Sequence, residues 1–217
     1  MALTGIDFSL NSPAACILDS EMYHFVSFFN YRKEWRSPVL KAFKLHEELM
    51  DAGAIQGVPY NRAVTSKRFL QREREKMTDA DRIAETLDLY LKENHEVSAF
   101  AIEGFSYGSK GNSFIDMIQY NSRLRQRLID SYGIGSFHIF QPSEVKKLAG
   151  KGNANKIYMF EAFRDNVLED ARLEENGLWK WCQGKGFEKE IPKPIDDLVD
   201  SYFILGSLER SLGYNLI

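Results

Sequence analysis

Three aspartates lie close together in the segment PIDDLVDSYFIL, residues 194–205. The residues around Asp196, Asp197 and Asp200 are mostly apolar, so this segment is expected to be buried on nearly all sides. Acids in the first turn of a helix are favoured by the helix dipole and by its free N–H groups, so capping alone could account for them. The alternative is a carboxylate cluster that binds a cation.

Two further carboxylates lie on segments with strand patterns. Asp7 belongs to the alternating segment LTGIDFSL, and Glu103 ends the apolar segment VSAFAIE. Either acid alone could mark the end of a strand that meets solvent. Together with Asp197 and Asp200, they occupy the ends of elements that a mixed sheet would bring side by side. Unpaired like charges raise one another's pKa and destabilise a fold unless a cation neutralises them.

The chemistry of these acids favours Mg²⁺ or Mn²⁺ over zinc, because no His or Cys accompanies them. Two such ions can hold the attacking water and the leaving oxygen during in-line displacement at a phosphodiester. The acids therefore predict metal-dependent phosphodiester hydrolysis.

The elements that would position the acids follow an α/β order. The segments LTGIDFSL, AACILD and MYHFVSFFN predict an antiparallel meander, and VSAFAIE and SFHIF predict two more strands. Helices are predicted over residues 38–52, 113–131 and 195–212, over SEVKKLAG, over 155–175, and from a capping-box-like TDAD at 78–81 to about residue 94. This order predicts a mixed five-stranded sheet, three strands antiparallel and then two parallel, flanked by helices.

Composition limits the class of protein. The 217 residues are 44% hydrophobic with no shift in composition, so residues 1–217 are expected to form one domain. The net charge of −3 argues against a uniformly basic nucleic-acid coat. Cys16 and Cys182 lack metal-ligand spacing, which favours a reducing compartment. No export signal or membrane-spanning stretch is evident, so we expect a cytoplasmic protein that does not enter membranes.

The segment GKGNANK, residues 150–156, could contact phosphate through its glycines and lysines. It lacks the G-x-x-x-x-G-K-[ST] order of a P-loop, so it predicts contact with a nucleic-acid backbone and no nucleotide cofactor. A glycine-rich helix connector with solvated lysines is the alternative.

Further basic and aromatic residues could bind DNA. Basic side chains neutralise phosphates, and aromatic side chains near the proposed site could wedge against an unstacked base. Solvated surface charge and aromatic loop anchors are the alternatives. The candidates are Arg68, Arg72, Phe105, Tyr107, Lys110, Arg123, Lys147 and Lys151.

Four segments in this order resemble the motifs of the RuvC-like Holliday junction resolvases, within the RNase H-like nuclease superfamily: GIDFSL, AIEGFSYG, PSEVKKLAGKGNANK and DDLVDS. The resemblance covers most of the chain. It implies an RNase H-like fold with two divalent ions, and leaves Asp196 for the helix cap. The implied metal-binding carboxylates are Asp7, Glu103, Asp197 and Asp200, and the implied basic residues near the scissile phosphate are Lys146 and Lys156.

The resemblance also implies a homodimer that resolves four-way DNA junctions. The chain departs from the bacterial pattern at residues 31–77 and 170–193, which are expected to be insertions typical of enlarged, phage-type relatives. Ser106 stands where the bacterial family has an aromatic residue, between Phe105 and Tyr107. Cleavage of flap, single-stranded or hybrid substrates, and a catalytically silent nucleic-acid-binding module, are the alternative functions.

Overall fold

The computed structural model describes residues 1–9, 12–30, 37–60, 64, 66–105 and 112–214, and of residues 37–42, 112 and 113 only the backbone. Within these residues there are six strands: β1 (Ala2–Asp7), β2 (Ala14–Asp19), β3 (Met22–Asn30), β4 (Gln56–Tyr60), β5 (Val97–Glu103) and β6 (Phe137–Phe140). They form one sheet in the order β4-β3-β2-β1-β5-β6.

The predicted strand directions are confirmed. The strands β1, β2 and β3 form an antiparallel meander, with a two-residue turn at Ser20 and Glu21, which both have positive φ. The strand β5 pairs parallel with β1 on one side and with β6 on the other. The mixed α/β sheet predicted from the sequence is therefore correct in its order and directions.

The prediction of five strands missed β4, which pairs parallel with β3 from Val26 and Gln56 to Asn30 and Tyr60. Its sequence, QGVPY, contains a glycine and a proline, and both residues are uncommon inside strands. Proline is tolerated at the edge of a sheet, where no neighbouring strand needs its missing N–H. The sixth strand therefore extends the sheet at an edge that the pattern of the sequence does not reveal.

Helices cover both faces of the sheet, and no helix within the described ranges combines the length and apolar character needed to cross a membrane. They are α1 (Ser37–Asp51), α2 (Phe69–Asn94), α3 (Asn112–Tyr132), α4 (Pro142–Leu148), α5 (Lys156–Arg164), α6 (Ala171–Glu174), α7 (Gly177–Cys182) and α8 (Ile195–Ser211).

The capping box predicted at Thr78 is wrong, because α2 begins nine residues earlier at Phe69. The Thr78 hydroxyl donates instead to the carbonyl oxygen of Arg74, one turn back in the same helix, at 3.2 Å. This back-bonding is how threonine satisfies its hydroxyl inside a helix. The residues before Thr78 are mostly good helix formers, so the helix continues through them.

The single helix predicted over 155–175 is also wrong. The helix α5 ends at Arg164, and the chain turns through Asn166 and Glu169, which have φ of 49° and 54°. These are left-handed conformations, which an α-helix cannot contain. The short helix α6 then begins with Asp170 as its N-cap, whose side chain accepts from the backbone N–H of Arg172.

Two hydrophobic clusters lie on opposite faces of the sheet. Leu3 and Phe25 point into the cluster formed with α4, α5 and α8. Ile6 and Val26 point into the other cluster, formed with α2 and α3. Because successive strand residues face opposite ways, each of the central strands β1 and β3 contributes to both clusters.

Gly5 allows α8 to lie directly against β1. A Cβ atom at this position would come within 2.4 Å of the Leu205 backbone nitrogen and of the Ser201 carbonyl oxygen. Since these are backbone atoms, no side-chain rotation could relieve the overlap. Gly5 and Asp7 are two residues apart on one face of β1, so the close contact at Gly5 places the start of α8 beside Asp7.

Arg172 ties the tract 170–193 to the rest of the fold. Its guanidinium donates to Asp170 and, at 2.9 Å, to Glu209 of α8, and it lies over the ring of Tyr23. Tyr23 also donates to Asp170. Asp170 and Glu209 are buried, and buried acids require such partners.

Candidate active site

Asp7 and Glu103 end two neighbouring parallel strands. In the register of β1 and β5, Ile6 lies opposite Ile102, so Asp7 and Glu103 follow side by side. Residues in register on parallel strands share a face of the sheet. Both carboxylates therefore lie at one edge of the sheet and on the face covered by α8.

The first two turns of α8 bring Asp197 and Asp200 to the same edge. The side chain of Asp197 is 2% exposed and that of Asp200 is 17% exposed. The segment PIDDLVDSYFIL is buried as expected, because α8 packs against β1, β2 and β5 together. The burial of these two acids is confirmed, and it distinguishes them from solvated acids of a first helical turn.

The pKa of Asp7 shows that these carboxylates interact. Burial raises this pKa well above its usual value, and the negative charges of Asp197, Asp200 and Glu103 raise it further, against the opposing charge of Lys156. Asp7 therefore lies close enough to the other three predicted carboxylates for its pKa to respond to the charge of each.

Glu103 and Asp200 are shifted in the same direction. Burial and the charge of Asp200 raise the pKa of Glu103 to about 7, although Lys156 and Lys146 oppose the shift. The pKa of Asp200 is raised by burial and by Asp197 and Asp196, again opposed by Lys156. Burial and the neighbouring carboxylates therefore both favour the protonated forms of Glu103 and Asp200.

Both lysines implied by the resemblance lie at this cluster. Lys156 is the first residue of α5, and its ammonium group contacts Asp200 and lies 3.7 Å from Asp196. Burial alone would lower the pKa of Lys156, but the charges of Asp200, Asp7 and Asp196 raise it overall. Lys146 lies in α4, close enough for its charge to act on Glu103.

Lys193 is a third cation at the cluster, and the sequence interpretation missed it. Its ammonium group lies 2.9 Å from Asp196 and also contacts Asp197. The spacing of three and four residues from these acids is a signal that was present in the sequence. Pro194 made this spacing hard to recognise. A residue before proline is disfavoured in helical conformation, which suggests that Lys193 lies outside the helix that carries the two acids.

Ser12 was also missed, and its hydroxyl donates to Asp197 Oδ2 at 2.7 Å. Ser9 donates to the same oxygen at 3.4 Å. Both serines follow β1, more than 180 residues away from Asp197 in sequence. No local pattern in the sequence could have found this contact.

Asp196 does not cap α8, contrary to the role left for it by the sequence interpretation. The N-cap position is Pro194, and no side chain makes a capping hydrogen bond there. Asp196 is 9% exposed, and its Oδ2 faces Lys193 and Lys156. Since α8 begins at Ile195, Asp196 lies inside the first turn, where its side chain turns toward the two lysines instead.

Whether this cluster could bind a divalent cation depends on the arrangement of its side chains and on their donor atoms. Within the described residues, no three or more His, Cys, Asp or Glu side chains are arranged to hold a metal ion as they stand. The donor set nevertheless fits a hard cation, since its ligand atoms are the oxygens of buried carboxylates, and the pKa values of Asp7 and Asp200 are raised first by burial and then by the neighbouring negative charges. An ion would have to take over contacts now made by Lys156 and Lys193.

Comparisons with solved structures agree with this architecture. The structure titled T. thermophilus RuvC in complex with Holliday junction substrate matches with a TM-score of 0.50 at 14% identity, over 99% of this chain and 97% of that chain. The yeast mitochondrial Holliday junction resolvase Ydc2 matches with a TM-score of 0.51 at 12% identity, over 98% of this chain and 79% of that chain. The chain has a RuvC-like fold. No protein-family model matches the sequence, and neither does any curated protein sequence.

In this RuvC-like fold, Phe105 lies two residues after Glu103, at the edge of the site. Its ring packs edge-on against Phe114 and lies under the guanidinium of Arg125 at 4.5 Å. These contacts favour the loop-anchor alternative for Phe105. Tyr107 and Lys110 lie outside the described residues.

The segment GKGNANK connects α4 to α5 in the RuvC-like fold. Lys147 and Lys151 are exposed, and the Lys151 ammonium group lies 4.0 Å from the centre of the Tyr158 ring. Asn155 caps α5 by accepting from the Tyr158 N–H. The segment is thus a helix connector. Because it ends at Lys156, which contacts Asp200 of the carboxylate cluster, its position is compatible with a phosphate contact as well.

The predicted DNA-binding arginines lie on the two helices of the opposite face. Arg68 and Arg72 are exposed at the beginning of α2. Arg123 of α3 is exposed but paired with Asp81 of α2 at 2.9 Å. Arg123 therefore already has a partner within the fold, and its role in DNA binding stays a prediction.

Proposed function

We propose that the chain is a divalent-metal-dependent endonuclease that hydrolyses phosphodiester bonds in branched DNA, with the four-way Holliday junction as its substrate. The proposal rests on the convergence of Asp7, Glu103, Asp197 and Asp200 at one edge of a RuvC-like sheet. The similar folds of RuvC in complex with Holliday junction substrate and of the yeast mitochondrial Holliday junction resolvase support the choice of substrate.

In this proposal, the four carboxylates hold two Mg²⁺ ions, for which Mn²⁺ can substitute. When bound, the ions activate a water for attack on phosphorus and stabilise the leaving oxygen. The Lys156 ammonium group contacts Asp200, and the charge of Lys146 acts on Glu103, so in this proposal both lysines would stabilise negative charge that develops on the phosphate. Ser12 fixes one oxygen of Asp197 and so orients that carboxylate.

The test is cleavage of a mobile four-way junction, read at nucleotide resolution with Mg²⁺ and with EDTA. We expect cuts with Mg²⁺ only, and Asp7→Asn should lower the rate by about two orders of magnitude or more, because one charged ligand is lost. The matched control is Asp130→Asn, since Asp130 is exposed near the end of α3 and bonds only to Gln126 among the contacts described. Cleavage by Asp7→Asn at the wild-type rate would contradict the proposal.

The alternative functions are separated by the same assay on other substrates. A flap, a single strand, a linear duplex and an RNA–DNA hybrid are compared with the junction under equal conditions. Faster cleavage of one of these would support the proposed metal-dependent hydrolysis but would make that nucleic acid, and not the junction, the substrate. Junction binding without any product in Mg²⁺ or Mn²⁺ would indicate a silent binding module.

A further inference from the structure

The beginning of α2 exposes two adjacent large apolar side chains. Phe69 is 77% exposed and Leu70 is 63% exposed. Single exposed apolar residues are ordinary, but two adjacent ones between Arg68 and Arg72, both exposed, form a combined apolar and basic surface. Together, Arg68, Phe69, Leu70 and Arg72 form the Phe69 surface.

The Phe69 surface lies toward the catalytic edge of the sheet. Contacts between α2 and α3 advance together along both helices, from Lys76 with Asp116 at 2.7 Å to Asp88 with Arg127 at 2.8 Å. The two helices are therefore parallel. Since α3 follows β5 and runs back along it, the beginnings of both helices lie toward the edge that carries Glu103.

The beginning of α2 carries a net positive charge. Residues 67–76 contain five basic and two acidic side chains. Of the acids, Glu73 pairs with Lys76 at 2.9 Å, and Glu75 accepts from the backbone N–H of Ser66 at 2.8 Å. Both carboxylates are thus engaged within the helix and the chain entering it.

The arginines of this region are turned outward. Arg68 and Arg74 are exposed, and Arg72, which is 46% exposed, lies 4.0 Å from Glu73, at the limit of an ion pair. An apolar pair surrounded by outward arginines fits a ligand with flat apolar faces and regularly spaced negative charges. Nucleic acid with unstacked bases has both properties.

We propose that the Phe69 surface contacts bases at the branch point of the DNA, with Phe69 and Leu70 against base faces and Arg68 and Arg72 on the adjoining phosphates. This inference rests on the proposed function and adds a base-contacting element on α2 to it. Phe69 is exposed, whereas the ring of Phe105 is packed against Phe114 and Arg125.

A second copy of the chain is the competing occupant, and the charges disfavour it. If the twofold axis of a dimer passed through the Phe69 surface, that surface would meet its own copy on the partner. Arg68 and Arg72 would then face their own counterparts with no acid of the Phe69 surface to offset them. The positive charge that suits a phosphate backbone would oppose such self-association.

The test measures binding to a four-way junction with 2-aminopurine at the branch point, in EDTA to prevent cleavage. The double variant Phe69→Ala/Leu70→Ala is compared with Met77→Ala, a matched control that is 62% exposed farther along the same helix. We expect about tenfold weaker junction binding and loss of the 2-aminopurine change for the double variant, with an unchanged dependence on salt. The control should bind like wild type.

A second variant separates the charged part of the surface. Arg68→Gln/Arg72→Gln should weaken binding to the junction and to linear duplex alike, and lower the salt slope by about two. Junction binding by Phe69→Ala/Leu70→Ala within twofold of wild type would overturn the inference while leaving the proposed nuclease intact. A wild-type dimer that becomes monomeric in this variant would overturn it in favour of a protein interface. A wild type that binds no junction would overturn both proposals.

Discussion

At Glu103, burial and the charge of Asp200 raise the pKa to about 7, against 4.5 for an ordinary glutamate. The folded protein therefore holds this proton more tightly than the unfolded chain does. Between about pH 4.5 and pH 7 the unfolded state releases its proton first, so this group lowers the free energy of unfolding as pH rises. Above pH 7 Glu103 is ionised in both states, so the full cost of ionising it in the folded protein is subtracted from the free energy of unfolding.

Glu103→Gln should remove this penalty. We expect the variant to be more stable than wild type at pH 8, by on the order of 2 kcal/mol, and equally stable at pH 4. Thermal or urea unfolding across this pH range in the presence of a chelator measures the difference. Glu47→Gln, at an exposed glutamate of α1, is the control and should follow wild type. A stability gap that does not change with pH would disagree with this account.

Single residues were predictable where a local pattern marked them. The spacing of Asp197 and Asp200 in an apolar segment, and the acids at the ends of two strands, indicated the four carboxylates. Lys193 was marked only by its spacing of three and four residues from Asp196 and Asp197, across Pro194. Ser12 lies 185 residues from Asp197, so its contact depends on tertiary packing, which no spacing in the sequence encodes.

At the scale of elements, the contact between β1 and α8 sets the geometry of the site. Gly5→Ala would place a methyl group 2.4 Å from two backbone atoms of α8, so the helix would have to move outward. We expect a loss of at least about 3 kcal/mol in the free energy of unfolding, together with reduced nuclease activity.

The control for this substitution is Gly135→Ala, because no atom lies within 4 Å of a Cβ at Gly135. Denaturant unfolding and junction cleavage are measured for both variants. If Gly5→Ala were as stable and as active as Gly135→Ala, the close contact of α8 with β1 would not position Asp197 and Asp200.

The elements with strong periodicity were predicted well, and those with weak signals were not. The segments of β2, β3 and β5 and the helix α8 have continuous apolar patterns, and they were placed within a residue or two. The strand β4 contains glycine and proline, which weaken a strand pattern. The break between α5 and α6 depends on the left-handed conformations of Asn166 and Glu169, and both residue types also occur inside helices. Local composition does not decide such positions.

At the scale of the whole molecule, resolution of a four-way junction requires two cuts placed symmetrically, and the described part of one chain forms one such carboxylate cluster. We therefore propose that two copies act together. Sedimentation of the wild type with the junction should give two protein chains per junction, and cleavage should give paired nicks of equal yield. Single nicks from a complex with one chain would show that the unit is a monomer.

The expected insertions can now be assigned to elements. Residues 31–77 include α1, β4 and the beginning of α2, and residues 170–193 include α6 and α7. The prediction of an enlarged, phage-type relative rests on these additions and stays a prediction, as does the single domain.

The position of β4 has a practical meaning for protein engineering. The sheet order puts β4 three strands from β1, and strands are spaced about 4.8 Å apart, so it lies roughly 14 Å from the strand that carries Asp7. Its outer side pairs with no other strand of the described sheet. A small reporter bound along the outer side of β4 should therefore leave the carboxylate cluster unchanged, which makes this edge a place to add a new binding specificity.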